Sequence, residues 1–100
     1  LALLAEIIGA QEAERIGLVN RVVADADIDA FVADWAKRLA AGPPIALAQS
    51  KRMLNNSSNV TLEQALEDEG AAQALNFGTK DTAEAMAAFL EKREPRFIGR

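Results

Sequence analysis

The stretch AFLEKREPRFIGR, residues 88–100, decides the fold class of this chain because it marks how a helix ends. Its apolar residues, together with Met86, follow an amphipathic helical pattern. Two cations, Lys92 and Arg93, lie at the end of this pattern. Cations are favourable at a helix C-terminus, where the helix dipole is negative. Pro95 cannot continue a helix, and an aromatic residue and a glycine follow it. The stretch therefore predicts a helix that is closed by Pro95 and followed by a short irregular segment.

Upstream of this stretch, apolar residues recur at helical spacing in three further segments. The first begins after a capping aspartate, Asp25 or Asp27, and ends at Gly42. The second begins at Pro44, since proline suits the first turn of a helix. The polar run Asn-Asn-Ser-Ser-Asn at residues 55–59 predicts a loop after it, because short polar side chains favour turns. A third helix is predicted beyond this loop.

Two positions have the spacing of a capping box, in which the first residue caps a helix and the residue three places on reaches back. Thr61 with Gln64 predicts the start of the third helix. Asp81 with Glu84 predicts the start of the last helix by the same rule. Residues 25–100 are therefore predicted to be a helical region of about four helices.

The first 24 residues carry the only strand signal. Residues 18–23 are short and rich in β-branched side chains, and they follow Gly17, which suits a helix C-cap. The apolar run at residues 1–5 predicts part of a helix, and residues 10–16 predict a second, brief one. The fold class predicted for the whole chain is mainly α, with at most one short strand near residues 18–23.

Composition excludes several classes of chemistry. The chain has no cysteine and no histidine, which removes disulfides, thiolate nucleophiles, Ser-His-Asp mechanisms and the usual zinc sites, so no metal site is expected. The net charge of -4 disfavours nucleic acid as a partner. No apolar run approaches the roughly 20 residues of a membrane span. These features favour a cytoplasmic protein that binds neither nucleic acid nor membrane.

The basic residues near the C-terminus are candidates for binding an anion. Four of the 11 lysines and arginines lie in the last nine positions, an arrangement that suits one or two phosphates. Lys92 and Arg93 are the candidate phosphate ligands, although a helix C-terminus also favours cations that bind nothing. Phe77 and Phe97 are candidates for stacking on an adenine ring, with core packing as the alternative for each.

Residues 88–100, taken with Glu12-Ala13 and with Gly-Leu-Val-Asn-Arg-Val-Val at residues 17–23, resemble the C-terminal third of the enoyl-CoA hydratase/isomerase (crotonase) family. The resemblance implies the C-terminal helical region of a crotonase-like fold. Residues 1–24 are then the end of an αβ core (helix, short helix, short strand), and residues 25–100 the helical region. It also implies that the catalytic glutamates and the oxyanion hole lie before Leu1, so no catalytic residue is expected in this chain.

The resemblance further implies an enzyme acting on acyl-CoA thioesters through a stabilised enolate, with hydration of a 2-trans-enoyl-CoA as the expected reaction. The full-length parent is then an enoyl-CoA hydratase, a lyase, and this chain alone is expected to be inactive. Coenzyme A enters as part of the substrate, held by Lys92, Arg93 and Phe77, and no cofactor is implied. A homo-oligomer, a trimer or a hexamer, is implied for the parent.

A non-enzymatic helical oligomerisation or protein-interaction module is the alternative. Specific binding of coenzyme A favours the enzyme, whereas concentration-dependent association without any response to ligand favours the module.

Overall fold

Five helices carry the fold in the computed structural model, which describes all 100 residues. They are α1 (Ala10–Arg15), α2 (Ile28–Ala40), α3 (Pro44–Asn56), α4 (Leu62–Phe77) and α5 (Lys80–Glu91). A short 3₁₀ turn, Asp25–Asp27, precedes α2, and no residue lies in a strand. None of the helices has both the length and the apolarity needed to cross a bilayer. The prediction of a mainly α chain is confirmed, and the backbone divides into two compact units, residues 1–36 and 37–100. The predicted boundary between residues 24 and 25 stays a prediction.

In the first unit, α1 ends in a left-handed turn at Gly17, as the sequence predicts. Gly17 has φ +77°, a conformation that costs glycine little. Its N–H donates to the carbonyl of Glu14 at 3.0 Å, and the N–H of Leu18 donates to the carbonyl of Ala13 at 2.8 Å. These two bonds are those of a Schellman motif, which satisfies carbonyls at the end of a helix.

The predicted strand at residues 18–23 is wrong, because these residues form a bend followed by irregular chain. A strand requires a hydrogen-bonded partner strand, and this chain contains none. The helix predicted at residues 1–5 is also wrong. These residues form one turn, closed by a 2.8 Å bond from the N–H of Ala5 to the carbonyl of Leu1. Ala5 is left-handed at φ 52°, so the turn does not propagate into a helix.

In the second unit, α4 packs against both α3 and α5. Pro44 occupies the first turn of α3 as predicted. The predicted capping box at the start of α4 is confirmed: the N–H of Gln64 donates to Thr61 Oγ1 at 3.3 Å, and the N–H of Thr61 donates to Gln64 Oε1 at 3.0 Å. The polar loop is shorter than predicted, because α3 continues through Asn56.

The start of α5 differs from the prediction. Thr79, not Asp81, is the capping residue, and its hydroxyl oxygen accepts from the N–H of Thr82 at 3.2 Å. Asp81 therefore lies inside the first turn of α5. The predicted capping box of Asp81 and Glu84 does not form, because Thr79 already satisfies the helix end and both carboxylates bond elsewhere.

The two carboxylates bond the last residues of the chain, 96–100, which we call the tail. Asp81, only 4% exposed, accepts from the N–H of Ile98 at 2.7 Å and from the N–H of Gly99 at 2.9 Å. The first amide of α5, that of Lys80, donates to the carbonyl of Arg100 at 2.7 Å. The tail thus runs back along α5 towards the N-terminus of that helix.

Gly99 is required where the tail passes α3. Its φ is +74°, and a Cβ built on it would lie 2.8 Å from Cγ of Pro44. Any other residue would meet both backbone strain and a clash with the proline ring.

The second unit leaves most of its large apolar side chains uncovered. Its fully buried apolar residues are two alanines, Ala72 and Ala88. On α5, Met86, Phe89 and Leu90 are 62%, 82% and 80% exposed and form a continuous apolar face. A contiguous exposed apolar face of this kind marks an interaction surface.

Asp81→Ala should release the tail while leaving α5 in place, since the substitution removes only the acceptor of two charge-assisted hydrogen bonds. Such bonds contribute about 1.5–3 kcal/mol each, so exchange of the Ile98 and Gly99 amides should accelerate by at least about tenfold. Amide hydrogen exchange by NMR measures this. Asp29→Ala, which removes a carboxylate from the first turn of α2, is the matched control. Unchanged exchange at both amides in Asp81→Ala would show that the tail is held by other contacts.

Candidate functional site

α5 ends in the same kind of turn as α1, but with a lysine in place of glycine. Lys92 has φ 55° and ψ 42°, in the left-handed region. Its N–H donates to the carbonyl of Phe89 at 3.3 Å, and the N–H of Arg93 donates to the carbonyl of Ala88 at 3.0 Å. The left-handed turn at Lys92, not Pro95, therefore ends the helix.

The conformation of Lys92 is costly and its side chain is free. A residue with a Cβ pays about 1–2 kcal/mol in the left-handed region, which is why glycine is usual at this position. The side chain of Lys92 is exposed to solvent and forms no hydrogen bond or ion pair within the chain. Backbone outliers of this kind cluster at functional sites, where the surrounding structure maintains them.

Arg93, the second predicted phosphate ligand, is bonded to carboxylates of α5. Its Nη1 and Nη2 lie 2.6 Å and 3.0 Å from the two carboxylate oxygens of Glu84, and its Nε lies 2.6 Å from Oε2 of Glu91. We call these three residues the clamp. Glu84 also accepts from the N–H of Arg96 at 2.9 Å, so the clamp is joined to the tail. The prediction that Arg93 binds a ligand is untested by this arrangement and stays a prediction.

The clamp shifts the ionisation of its members. Hydrogen bonds from the Arg93 side chain, and then from the backbone N–H of Arg96, lower the pKa of Glu84 from 4.5 to about 2. The same bond to Glu84, followed by the bond to Glu91, raises the pKa of Arg93 above its ordinary value. Both partners are partly solvated, at 39% and 25% side-chain exposure, so water screens the pair.

Phe77, the third predicted site residue, lies at the last position of α4 and is 72% exposed. Its ring is therefore largely unpacked within this chain and is available to contact a ligand. The structure does not bring it near Lys92, because the two residues flank opposite ends of the 12-residue helix α5. At 1.5 Å per residue, this helix separates them by about 18 Å. The predicted site residues therefore lie in two separate regions, with Lys92 and Arg93 after the end of α5 and Phe77 at the end of α4.

A groove that the sequence analysis missed lies between α3, α4 and the tail, with a cavity volume of about 620 Å³. Ile45 and Met53 of α3 line it together with Phe97, so the packing alternative for Phe97 describes its position. Gln49 also lines the groove, and its Oε1 is buried without a hydrogen-bond partner. The signal was present, because Ile45, Gln49 and Met53 are spaced four residues apart and share one face of α3.

The exposed ammonium of Lys92 is a cation that an anion could contact. No three or more Asp, Glu, His or Cys side chains are arranged to hold a metal ion. The chain also lacks histidine and cysteine altogether.

Comparison with known proteins places this geometry in context. The family model described as enoyl-CoA hydratase/isomerase matches residues 1–100. The crotonyl-CoA hydratase of Syntrophomonas wolfei is 38% identical over 96 residues, which are 96% of this chain and 37% of that protein. The 1,2-epoxyphenylacetyl-CoA isomerase of Escherichia coli is 33% identical over 100 residues, all of this chain and 38% of that protein.

The solved structures agree with this result. A crystal structure of an enoyl-CoA hydratase from Polaromonas sp. JS666 superposes with a TM-score of 0.89 at 35% identity, covering 96% of this chain and 37% of that one. The chain thus spans well under half the length of the relatives it matches. Its architecture is the helical C-terminal region of a crotonase-like fold, as predicted.

The clamp should be lost only in strong acid. Since the folded pKa of Glu84 lies below its ordinary value of 4.5, the ionised carboxylate favours the folded arrangement. This contribution is complete above pH 4.5 and disappears as the pH falls through about 2. An NMR titration of the Glu84 carboxyl carbon should give a midpoint near 2, with the Arg96 amide shifting at the same midpoint. In Arg93→Ala the midpoint should move up towards 4.5. A midpoint near 4.5 in the unaltered chain would mean that the clamp does not form in solution.

Proposed function

Because the chain belongs to the enoyl-CoA hydratase/isomerase family, we propose that it is the C-terminal part of a longer enzyme that hydrates a 2-trans-enoyl-CoA to the 3-hydroxyacyl-CoA. Relatives named as hydratases support this choice of reaction, including the crotonyl-CoA hydratase of S. wolfei and the short-chain-enoyl-CoA hydratase of Clostridium acetobutylicum. Within that enzyme, this chain holds the nucleotide end of the acyl-CoA, and its helices pack against the rest of the protein.

One observation carries the binding role: the unpaired, solvent-exposed ammonium of Lys92 on a left-handed turn. A lysine ammonium is a flexible point charge that suits a phosphate oxygen. Lys92 therefore holds a phosphate of the adenine-nucleotide end. Arg93 shares its charge with Glu84 and Glu91, so the phosphate-binding role proposed here rests on Lys92.

Phe77 is a separate contact in this proposal. Its ring is exposed, and about 18 Å of helix lies between it and Lys92, so the two contact different parts of the ligand. In the proposed enzyme Phe77 stacks on the adenine ring of the acyl-CoA.

The reacting groups lie outside this chain. Hydration adds the oxygen of water to C3 of the enoyl thioester and a proton to C2, through an enolate whose charge sits on the thioester oxygen. Carboxylates that move the protons and backbone amides that stabilise the enolate oxygen are supplied by the part of the enzyme upstream of Leu1. No metal or redox cofactor is part of the proposal, and coenzyme A enters as part of the substrate.

The exposed apolar face of α5 supports a role in assembly. Met86, Phe89 and Leu90 are more than 60% exposed here, and in the whole enzyme they are covered by its core or by neighbouring subunits of a trimer or hexamer. The expected location in the cytoplasm stays a prediction.

The 100-residue chain alone should show no hydration of crotonyl-CoA, because it lacks the base, the acid and the oxyanion donors. A spectrophotometric assay of crotonyl-CoA hydration checks this, with a full-length hydratase of the family as positive control. Turnover above buffer that scales with the concentration of the purified chain would contradict the proposal.

Lys92→Ala in the full-length protein should weaken the binding of coenzyme A by about 1 kcal/mol, roughly fivefold, since one exposed ion pair contributes no more. The loss should fall on Kd and KM and not on kcat, because the contact is far from the thioester. Isothermal titration calorimetry with coenzyme A and steady-state kinetics measure both. Lys80→Ala, which removes the same charge from the opposite end of α5, is the matched control.

Salt provides a second check on Lys92. Raising the ionic strength should shrink the difference between Lys92→Ala and the parent, because salt screens exposed charges. Equal affinity of Lys92→Ala and Lys80→Ala for coenzyme A at low salt would overturn the role of Lys92.

A further inference from the structure

We infer that Arg93 is a positioning residue: the clamp it forms with Glu84 and Glu91 holds Lys92 in its left-handed conformation, so that the Lys92 ammonium is presented to the phosphate. This inference rests on the proposed function of Lys92, and it adds the set of side chains that orients the Lys92 ammonium. Arg93 itself makes no contact with the ligand in this account.

The clamp spans the turn. Glu84 and Glu91 precede Lys92 on α5, and Arg93 follows it directly. The guanidinium of Arg93 bonds back to both carboxylates across the reversal of the chain at Lys92. The backbone N–H of Arg93 donates to the carbonyl of Ala88 at 3.0 Å, which is the bond that closes the turn.

The left-handed turn at the end of α1 differs from the one at the end of α5 in the residue that adopts it. At the end of α1, Gly17 adopts φ +77° without a Cβ, and the residue that follows it, Leu18, has no charge to bond back to the helix. At the end of α5, a lysine occupies the equivalent position and an arginine follows it. Lys92 therefore carries a conformational cost that Gly17 does not. Across the α1 turn the ion pair is longer, with Nη1 of Arg21 lying 3.8 Å from Oε1 of Glu14.

Arg93 has little capacity left for a ligand. Its Nε donates to Glu91, its Nη2 to Glu84, and its Nη1 to Glu84 and, at 3.3 Å, to the carbonyl of Glu94. One positive charge faces two negative ones, so the clamp as a whole is not cationic. Lys92 is the adjacent cation without a protein partner.

A double-mutant cycle with coenzyme A as the probe tests the inference in the full-length protein. Arg93→Ala should weaken binding by about threefold although Arg93 does not touch the ligand, and Lys92→Ala by about fivefold. The double variant should bind no worse than Lys92→Ala alone, since the clamp acts only through Lys92. Arg15→Ala, which breaks the exposed bidentate pair with Glu12 in α1, is the control and should bind like the parent.

Three binding results would overturn the inference. If the losses multiply to about fifteenfold in the double variant, Arg93 binds the phosphate directly. If Arg93→Ala binds like the parent while Lys92→Ala is weakened, the clamp has no part in binding and the proposed function survives without it. If Lys92→Ala binds like the parent, the binding role under the proposed function fails, and this inference fails with it.

A ligand-free measurement isolates the clamp. Exchange of the Arg93 amide with solvent should accelerate in Arg93→Ala and in Glu84→Gln, because the turn opens. With glycine at position 92, as in Lys92→Gly, the turn needs no support, so adding Arg93→Ala should no longer accelerate the exchange. Equal acceleration in both backgrounds would mean that the clamp does not hold the left-handed conformation.

Discussion

The carboxylates of Asp81 and Glu84 are the acceptors on which the C-terminal half of this molecule depends. Backbone N–H groups outside helices need partners, and these two side chains supply acceptors for three of them, at Arg96, Ile98 and Gly99. The tail is thereby fixed along α5. Because Glu84 also pairs with Arg93, the tail and the left-handed turn at the end of α5 belong to one network.

Local rules account for the features that the sequence predicted correctly. The capping box at Thr61, the proline at the start of α3 and the glycine after α1 each depend on a few neighbouring residues. Periodicity located the helices for the same reason. Where the outcome depended on distant partners, prediction failed: residues 18–23 have the composition of a strand but no strand to pair with.

The candidate site shows the same limit. Lys92 was identified through the basic cluster at the helix end and through a resemblance, but its left-handed conformation could not be predicted, because the position normally takes glycine. The pairing of Arg93 with Glu84 joins residues nine apart across a reversal of the chain, which no helical spacing describes. Asp81 was misassigned as a cap because Thr79, two residues earlier, competes for the same role.

The distribution of apolar side chains agrees with a division of labour. The chain corresponds in length to about 37% of the S. wolfei hydratase, and it exposes large apolar residues. The chain contributes helices, the bound tail and the exposed cation Lys92, while the groups proposed for catalysis lie upstream of Leu1. The groove beside Gln49 agrees with this division of labour. Its lining is largely apolar, and Oε1 of Gln49 has no hydrogen-bond partner within the chain.

The central claim is that Lys92 adopts a left-handed conformation at the end of α5. The backbone chemical shifts and the HN–Hα coupling of Lys92 in the unaltered protein in solution test it most directly, since they report φ and ψ for that residue. The account predicts a positive φ at Lys92, matching the value of Gly17 in sign. A right-handed helical or extended φ at Lys92, with α5 otherwise intact, would contradict it.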